Sequence, residues 1–146
     1  MIEISTVAQP LRIVWLAVCA GAAVAVGVFG ALAASRPAPM PEHAEAAFYL
    51  VALVSLVGTG AAFTLQRMME TRVARAGSDE EAAAALRTLG VASLAAAEAP
   101  ALVGALAAFL TGDLLALAFA VPLFAFAWLT WPSDDRVGSW LAMRRR

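Results

Sequence analysis

Long apolar runs alternate with short polar interruptions along the chain, and this pattern predicts four membrane-spanning helices. A helix needs about 20 mostly apolar residues to cross the hydrocarbon core of a bilayer. Four segments are of that order, namely 11–34, 46–69, 86–111 and 114–131. We therefore predict an all-α integral membrane protein, a four-helix bundle of up-down topology that forms one transmembrane domain over residues 1–146.

The composition agrees with this class. The 146 residues are 62% hydrophobic and 14% charged, with a mean hydropathy of +0.81. Soluble domains carry about 25% charged and about 45–50% apolar residues. The net charge of −1 does not favour binding to nucleic acid. The single cysteine, Cys19, lies in an apolar run, so neither a disulfide nor a cysteine-based metal site can form within one chain.

Arginines are distributed unevenly between the two sides of the predicted bundle. Nine of the ten lie at the start of the first span, in and beside the second connection, or after the fourth span, and only Arg36 lies on the other side. The positive-inside rule places the arginine-rich side in the cytoplasm. We therefore expect a multi-pass protein of the bacterial inner membrane with both termini in the cytoplasm.

The connections carry local signals for where helices begin and end. Gly77 is suited to end the second helix in a left-handed conformation, and Ser78 with Glu81 forms a capping-box pattern that starts the third. Strong helix formers continue from there into the third span, so we expect a helical hairpin that protrudes into the cytoplasm. In the fourth span, Asp113 is placed to cap the helix and Pro122 to kink it.

The C-terminal tail, 133–146, has the pattern of an amphipathic helix. Ser133 is suited to the N-cap, two aspartates follow in the first turn, and three arginines come last, which matches the helix dipole. One face collects the apolar residues Val137, Trp140 and Leu141. Such a helix would lie on an anionic leaflet, with lipid headgroups bound by Arg144, Arg145 and Arg146. Alternatively, the tail is frayed and its arginines only set the topology.

Glu98 places a carboxyl group near the middle of the third span. No arginine, lysine or histidine lies at matching depth. A charge at a helix centre costs about 2.5–3.5 kcal/mol on insertion scales, so we expect a neutral carboxyl that donates a hydrogen bond. Pro100 has no N–H and leaves the carbonyl of Ala96 without its helical partner, and we expect this carbonyl close to Glu98. Pro100 is also expected to kink the helix.

Two roles for Glu98 stay open. A carboxyl, a freed carbonyl and hydroxyl groups are the oxygen ligands that a proton or sodium site needs. The candidate ion-binding residues are Glu98, Ala96, Ser93, Thr59 and Ser55. In the structural alternative, the protonated glutamate bonds to a backbone carbonyl of a neighbouring helix, a contact worth about 0.6 kcal/mol on average.

Small residues predict close helix packing. On one face of the first span, spacings of three and four relate Ala20, Ala23, Gly27, Gly30 and Ala34. Faces of this kind let helix backbones approach closely in membranes. Further packing glycines are expected at Gly58 in the second span and Gly104 in the third. These faces could serve packing within one bundle or a homo-oligomer.

Three stretches between Val51 and Leu110 follow one another as a glycine-containing helix, a polar connection and a carboxylate-bearing helix. They read "LVGTGAAF", "RVARAGSDEEAAAALRT" and "SLAAAEAPALVGALAAFL", with Gly104 six residues after the acid. This hairpin resembles the c subunit, or proteolipid, of rotary ATP synthases, a resemblance that implies Glu98 as the ion-carrying carboxylate. The whole chain, with "LRIVW" leading its first helix, is similar to a group of uncharacterised small four-helix bacterial membrane proteins.

Two functions are consistent with these features. The chain has no phosphate-binding loop, dinucleotide fingerprint, nucleophile elbow or pair of catalytic carboxylates, so we expect no enzymatic activity, cofactor or metal. Neither a second buried carboxyl nor an arginine at matching depth is present, which favours a structural or accessory subunit that forms an oligomer or joins a larger membrane complex. The alternative is a proton- or sodium-handling protein similar to a c subunit, with Glu98 as its ion-binding carboxylate.

Overall fold

The computed structural model describes residues 3–143, which are almost entirely helical and contain no β-strand. The α-helices are α1 (Ile4–Ser35), α2 (Ala44–Arg75), α3 (Asp79–Thr111), α4 (Val121–Leu129) and α5 (Asp134–Met143). Two 3-10 helices, Pro41–His43 and Leu114–Ala120, precede α2 and α4. Among the described helices, three are long and apolar enough to cross a membrane, or four if a bent pair at 114–143 is one span. The prediction of an all-α protein with several membrane spans is confirmed.

The central helix is α3, which contacts each of the other helices. In its most apolar stretch 50% of the residues are buried, against 11% in the corresponding stretches of α1 and α2. Seven of the fourteen buried positions of α3 are alanines, whose small side chains let the neighbouring backbones come close. Larger side chains of the surrounding helices complete the core, among them Trp15, Met69, Leu123 and Val137.

Two glycines of α3 face other helices directly. A Cβ built on Gly104 would overlap the carbonyl oxygen of Ala116 in the second 3-10 helix. A Cβ on Gly90 would lie 3.3 Å from the indole ring of Trp15. The 3-10 helix and α1 therefore pack against α3 at positions where a side chain would keep them apart.

The turn between α2 and α3 contains the predicted capping box but not the predicted left-handed glycine. Ser78 Oγ accepts a hydrogen bond from the Glu81 N–H at 3.1 Å, and the Glu81 carboxylate accepts one from the Gly77 N–H at 2.8 Å. The prediction for Gly77 is wrong, because Ala76 ends α2 in an extended conformation and the only positive φ within residues 3–143 is the 74° of Gly112, after α3. From the capping box, α3 runs without a break into the third span, as predicted.

The fourth segment, Leu114–Leu129, begins as a 3-10 helix and continues as α4. Asp113 Oδ1 accepts a hydrogen bond from the Leu115 N–H at 3.0 Å, which confirms the predicted cap. A 3-10 helix rises about 2.0 Å per residue and an α-helix about 1.5 Å. Its seven 3-10 and nine α-helical residues therefore span about 27 Å, close to the hydrocarbon thickness of about 30 Å.

Pro122 lies in the first turn of α4, where the change from 3-10 to α-helical geometry occurs. The large bend comes later, because 72° separates the fourth segment from α5. Pro100, in contrast, lies inside α3, which is helical on both sides of it.

The tail helix α5 folds back onto α1 and α2. Its N-cap is Ser133, whose Oγ accepts a hydrogen bond from the Arg136 N–H at 3.3 Å, as predicted. Val137 and Trp140 are buried against the protein, so the apolar face predicted to rest on a leaflet is occupied by helix packing. The predicted headgroup residues Arg144, Arg145 and Arg146 lie outside the described residues.

Arginine side chains connect the elements at one end of the fold, which we call the arginine-rich end; it carries Arg12, Arg67, Arg72, Arg75, Arg87 and Arg136. Arg12 forms an ion pair with Asp134 at 2.9 Å and donates to the carbonyl of Pro132 at 3.0 Å. Arg87 on α3 donates to the carbonyl of Thr6 on α1 at 3.3 Å. These bonds hold α1, α3 and α5 together where their apolar segments end.

We expect Gly104→Ala to lower the free energy of unfolding by about 1–3 kcal/mol, the usual cost of forcing an extra methyl group into packed space. Gly21→Ala is the control, because a Cβ at that position has no neighbour within 4 Å and alanine stabilises a helix by about 0.5–1 kcal/mol relative to glycine. Titration with dodecyl sulfate in mixed micelles measures both values. If Gly104→Ala is as stable as Gly21→Ala, the backbones at Gly104 and Ala116 do not touch.

Candidate functional site

Glu98 lies on the flank of α3 that faces α1. Its carboxyl is near enough to the Cys19 thiol of α1 to act on it electrostatically. Leu94 and Ala101, one turn away on either side, are buried, whereas Leu102 is 40% exposed. Within residues 3–143 the carboxyl has neither a hydrogen bond nor an ion pair. Glu98 is therefore a half-buried acid at the boundary between the core and the outward surface of α3.

The carbonyl freed by Pro100 faces α2. A Cβ built on Gly58 of α2 would lie 2.8 Å from the Ala96 carbonyl oxygen and 3.1 Å from Cγ of Pro100. Because successive residues of an α-helix are about 100° apart, Glu98 and Pro100 point to nearly opposite sides of α3. The carbonyl of Ala96 is thus covered by a glycine of α2 and does not approach the carboxyl of Glu98.

The hydroxyl residues of the predicted ion site also lie apart from the acid. Ser93 is buried and its hydroxyl donates to the carbonyl of Gly90 in the same helix at 2.7 Å. Ser55 is buried and Thr59 half-buried, and both belong to α2, which packs on the Pro100 side of α3. The structure therefore separates the five predicted residues into two groups on different faces of α3, with Glu98 alone on the α1 side.

The small residues of α1 and those of α2 and α3 have different surroundings. Gly58 and Gly104 are inside helix contacts, as described above. Of the two glycines on the predicted face of α1, Gly30 has a close neighbour and Gly27 has none: a Cβ built on Gly30 would lie 3.0 Å from the side chain of Leu117. The other members of the predicted face are exposed, namely Ala20, Ala23, Gly27 and Ala34. Most of this α1 face is therefore available to a partner.

All four tryptophans lie at the arginine-rich end, which the predictions from sequence did not include. These are Trp15, Trp128, Trp131 and Trp140. Tryptophan is enriched at membrane–water interfaces, where its ring meets hydrocarbon and its N–H meets polar groups. Trp15 lies near the start of the first span, and Trp128 and Trp131 lie at the end of the fourth. These positions in the sequence could have predicted the interface.

Comparison of the chain with known protein families, with curated proteins and with solved structures finds no match. The described residues contain no group of three or more His, Cys, Asp or Glu side chains placed to hold a metal ion. His43, whose Nδ1 lies 3.3 Å from the Glu42 carboxylate, is exposed on the opposite end of the fold. The resemblance of the hairpin to a c subunit stays a prediction.

Gly58→Ala tests the contact that covers the Ala96 carbonyl. A backbone oxygen and a proline ring cannot move aside cheaply, so we expect a loss of about 1–3 kcal/mol in the free energy of unfolding. Gly60→Ala changes the same residue type two positions away, where a Cβ meets nothing within 4 Å, and should leave stability equal or higher. The two variants are compared by the dodecyl sulfate midpoint in mixed micelles. A Gly58→Ala protein as stable as Gly60→Ala would contradict this packing.

Proposed function

We propose that this chain is a structural or accessory subunit of the bacterial inner membrane that associates with itself or with a larger membrane complex through α1. In this proposal the chain is an up-down four-helix bundle whose termini and α2–α3 turn are cytoplasmic. The concentration of arginines at that end supports the orientation through the positive-inside rule.

The observation that carries the proposal is the exposed small-residue face of α1. Ala20, Ala23 and Gly27 follow one another at spacings of three and four and are exposed, and a Cβ at Gly27 meets nothing within 4 Å. Transmembrane helices associate by close packing and not by a hydrophobic driving force, so small residues at this spacing are favourable contact positions. Elsewhere in the chain glycines of the spans, such as Gly58 and Gly104, are used for such contacts.

A second candidate function is proton or sodium handling at Glu98. It is supported by a carboxyl group within a membrane-spanning helix, half-buried and without a hydrogen bond or ion pair inside the described part of the chain. Ionisable groups at membrane depth are costly and mark ion pathways in many membrane proteins. Because Ser93, Thr59, Ser55 and the Ala96 carbonyl face elsewhere, further ligands for an ion would have to come from a partner or from water.

The association proposal predicts that Gly27→Leu weakens or abolishes the oligomer or complex, because a large side chain keeps two helices apart at this face. Gly21→Leu is the matched control: it makes the same change on another face of α1, at a glycine that likewise has open space around it. Light scattering of the detergent-purified protein and cross-linking in membranes would measure the assembled fraction. If both variants assemble like the wild type, α1 does not form the interface.

The ion-handling candidate predicts that an apolar carbodiimide modifies Glu98, because these reagents attack protonated carboxyls that are reachable from the hydrocarbon phase. Modification should fade as pH rises through a defined midpoint, and Glu98→Gln should remove it. Intact mass spectrometry of the protein in detergent gives the modified fraction at each pH. A folded protein that shows no modification at any pH would exclude an exchangeable proton at Glu98 and leave the accessory role.

A further inference from the structure

A groove separates α1 from α4 at the arginine-rich end. It is lined on one side by Trp15, Leu16 and Cys19, on the other by Phe124, Ala127 and Trp128. Nearer the opposite end of the fold, Gly30 meets Leu117 and the two segments are in contact. The segments therefore diverge towards the arginine-rich end and enclose a mostly apolar space, the tryptophan groove, with a volume of about 640 Å³.

The tryptophan groove opens on the outward surface of the membrane-spanning region. Leu16 is 58% exposed and Trp128 is 83% exposed, and both line it. An open apolar groove between spans is accessible to the acyl chains of the surrounding bilayer. Its volume lies in the range of about 300–1,000 Å³ that is typical of small-molecule sites.

The end of the groove towards the C-terminal tail is polar and cationic. Arg136 lines it there together with Ser133. One guanidinium nitrogen of Arg136 donates to the carbonyls of Leu129 and Trp131, at the end of α4. No carboxylate among the described residues forms an ion pair with this guanidinium. The groove therefore ends at a positive charge that has no ion pair within residues 3–143.

The wall of the groove also contains a polar atom without a hydrogen bond. The indole Nε1 of Trp15 is buried and has no hydrogen-bond partner among the described residues, and the whole side chain is only 2% exposed. Buried polar groups are almost always hydrogen-bonded, and an unpaired donor costs free energy. Because this nitrogen is itself buried, an ester or phosphate oxygen of a bound amphiphile would satisfy it only after a shift of its neighbours.

We propose that the tryptophan groove binds one anionic phospholipid, with an acyl chain between α1 and α4 and the phosphate group at Arg136. The apolar walls match the acyl chain. The Arg136 guanidinium, which has no ion pair within residues 3–143, matches the anionic headgroup. The tryptophans at this end mark the depth at which the two parts of a lipid meet. Among the described residues that line the groove, Arg136 is the one cation, so in this proposal it selects the headgroup.

Native mass spectrometry of the full chain in mild detergent, titrated with phosphatidylglycerol or phosphatidylcholine, tests this site. We expect the wild type to retain one phosphatidylglycerol per chain in preference to phosphatidylcholine. Arg136→Gln should weaken phosphatidylglycerol binding about fivefold, which corresponds to about 1 kcal/mol for one arginine near anionic lipid, and should leave phosphatidylcholine binding unchanged. Leu16→Trp, which adds bulk at the mouth of the groove, should weaken the binding of both lipids.

Matched controls separate this site from general lipid contact. Arg75→Gln removes the same charge at the same end but outside the groove, and Leu53→Trp adds the same bulk on α2 at a residue that is also 58% exposed. Both controls should bind lipid like the wild type.

Circular dichroism checks that Arg136→Gln is folded, and Leu16→Trp keeps the Arg136 hydrogen bonds intact. A wild type that retains no lipid, test variants that bind like the wild type, or controls that lose as much binding as the test variants would overturn the proposal.

Discussion

The close approach of helix backbones around α3 is the constraint on which the rest of the structure depends. Gly58 admits the Ala96 carbonyl on one side of α3, and Gly104 admits the Ala116 carbonyl on another. In lipid there is little hydrophobic gain from helix association, so such contacts have to supply the packing energy. The alanine-rich surface of α3 is thus what allows α1, α2 and the fourth segment to gather around one helix.

This packing also determines the surroundings of Glu98. The carbonyl that Pro100 releases is covered by α2, and the Ser93 hydroxyl is bonded within its own helix. The acid is left on the α1 flank, within electrostatic range of Cys19 and away from the oxygen groups that the sequence suggested as an ion site. A role for Glu98 in ion binding therefore requires further ligands from water or from a partner. Ligands from a partner would connect the second candidate function to the question of assembly that α1 raises.

The arginine-rich end has a structural role beyond topology. Arg12, Arg87 and Arg136 each donate to backbone carbonyls of a neighbouring element, and through them the tail is fixed beside the start of α1. The apolar face of α5 is consequently packed on the protein. The tryptophan groove that remains between α1 and α4 has apolar walls and ends at the Arg136 guanidinium. This combination suits a lipid with an anionic headgroup.

The sequence by itself determined what depends on residues within one helical turn of each other: the helical spans, the capping box at Ser78, and the caps at Asp113 and Ser133. The conformation of Gly77, the 3-10 start of the fourth segment and the docking of α5 were not evident, because they depend on how distant elements meet. The same holds for the candidate site. The position of Glu98 in an apolar run identified it as a candidate. Only the tertiary structure decided which face of α3 meets which helix, since that choice rests on the fit of backbones at a few small residues.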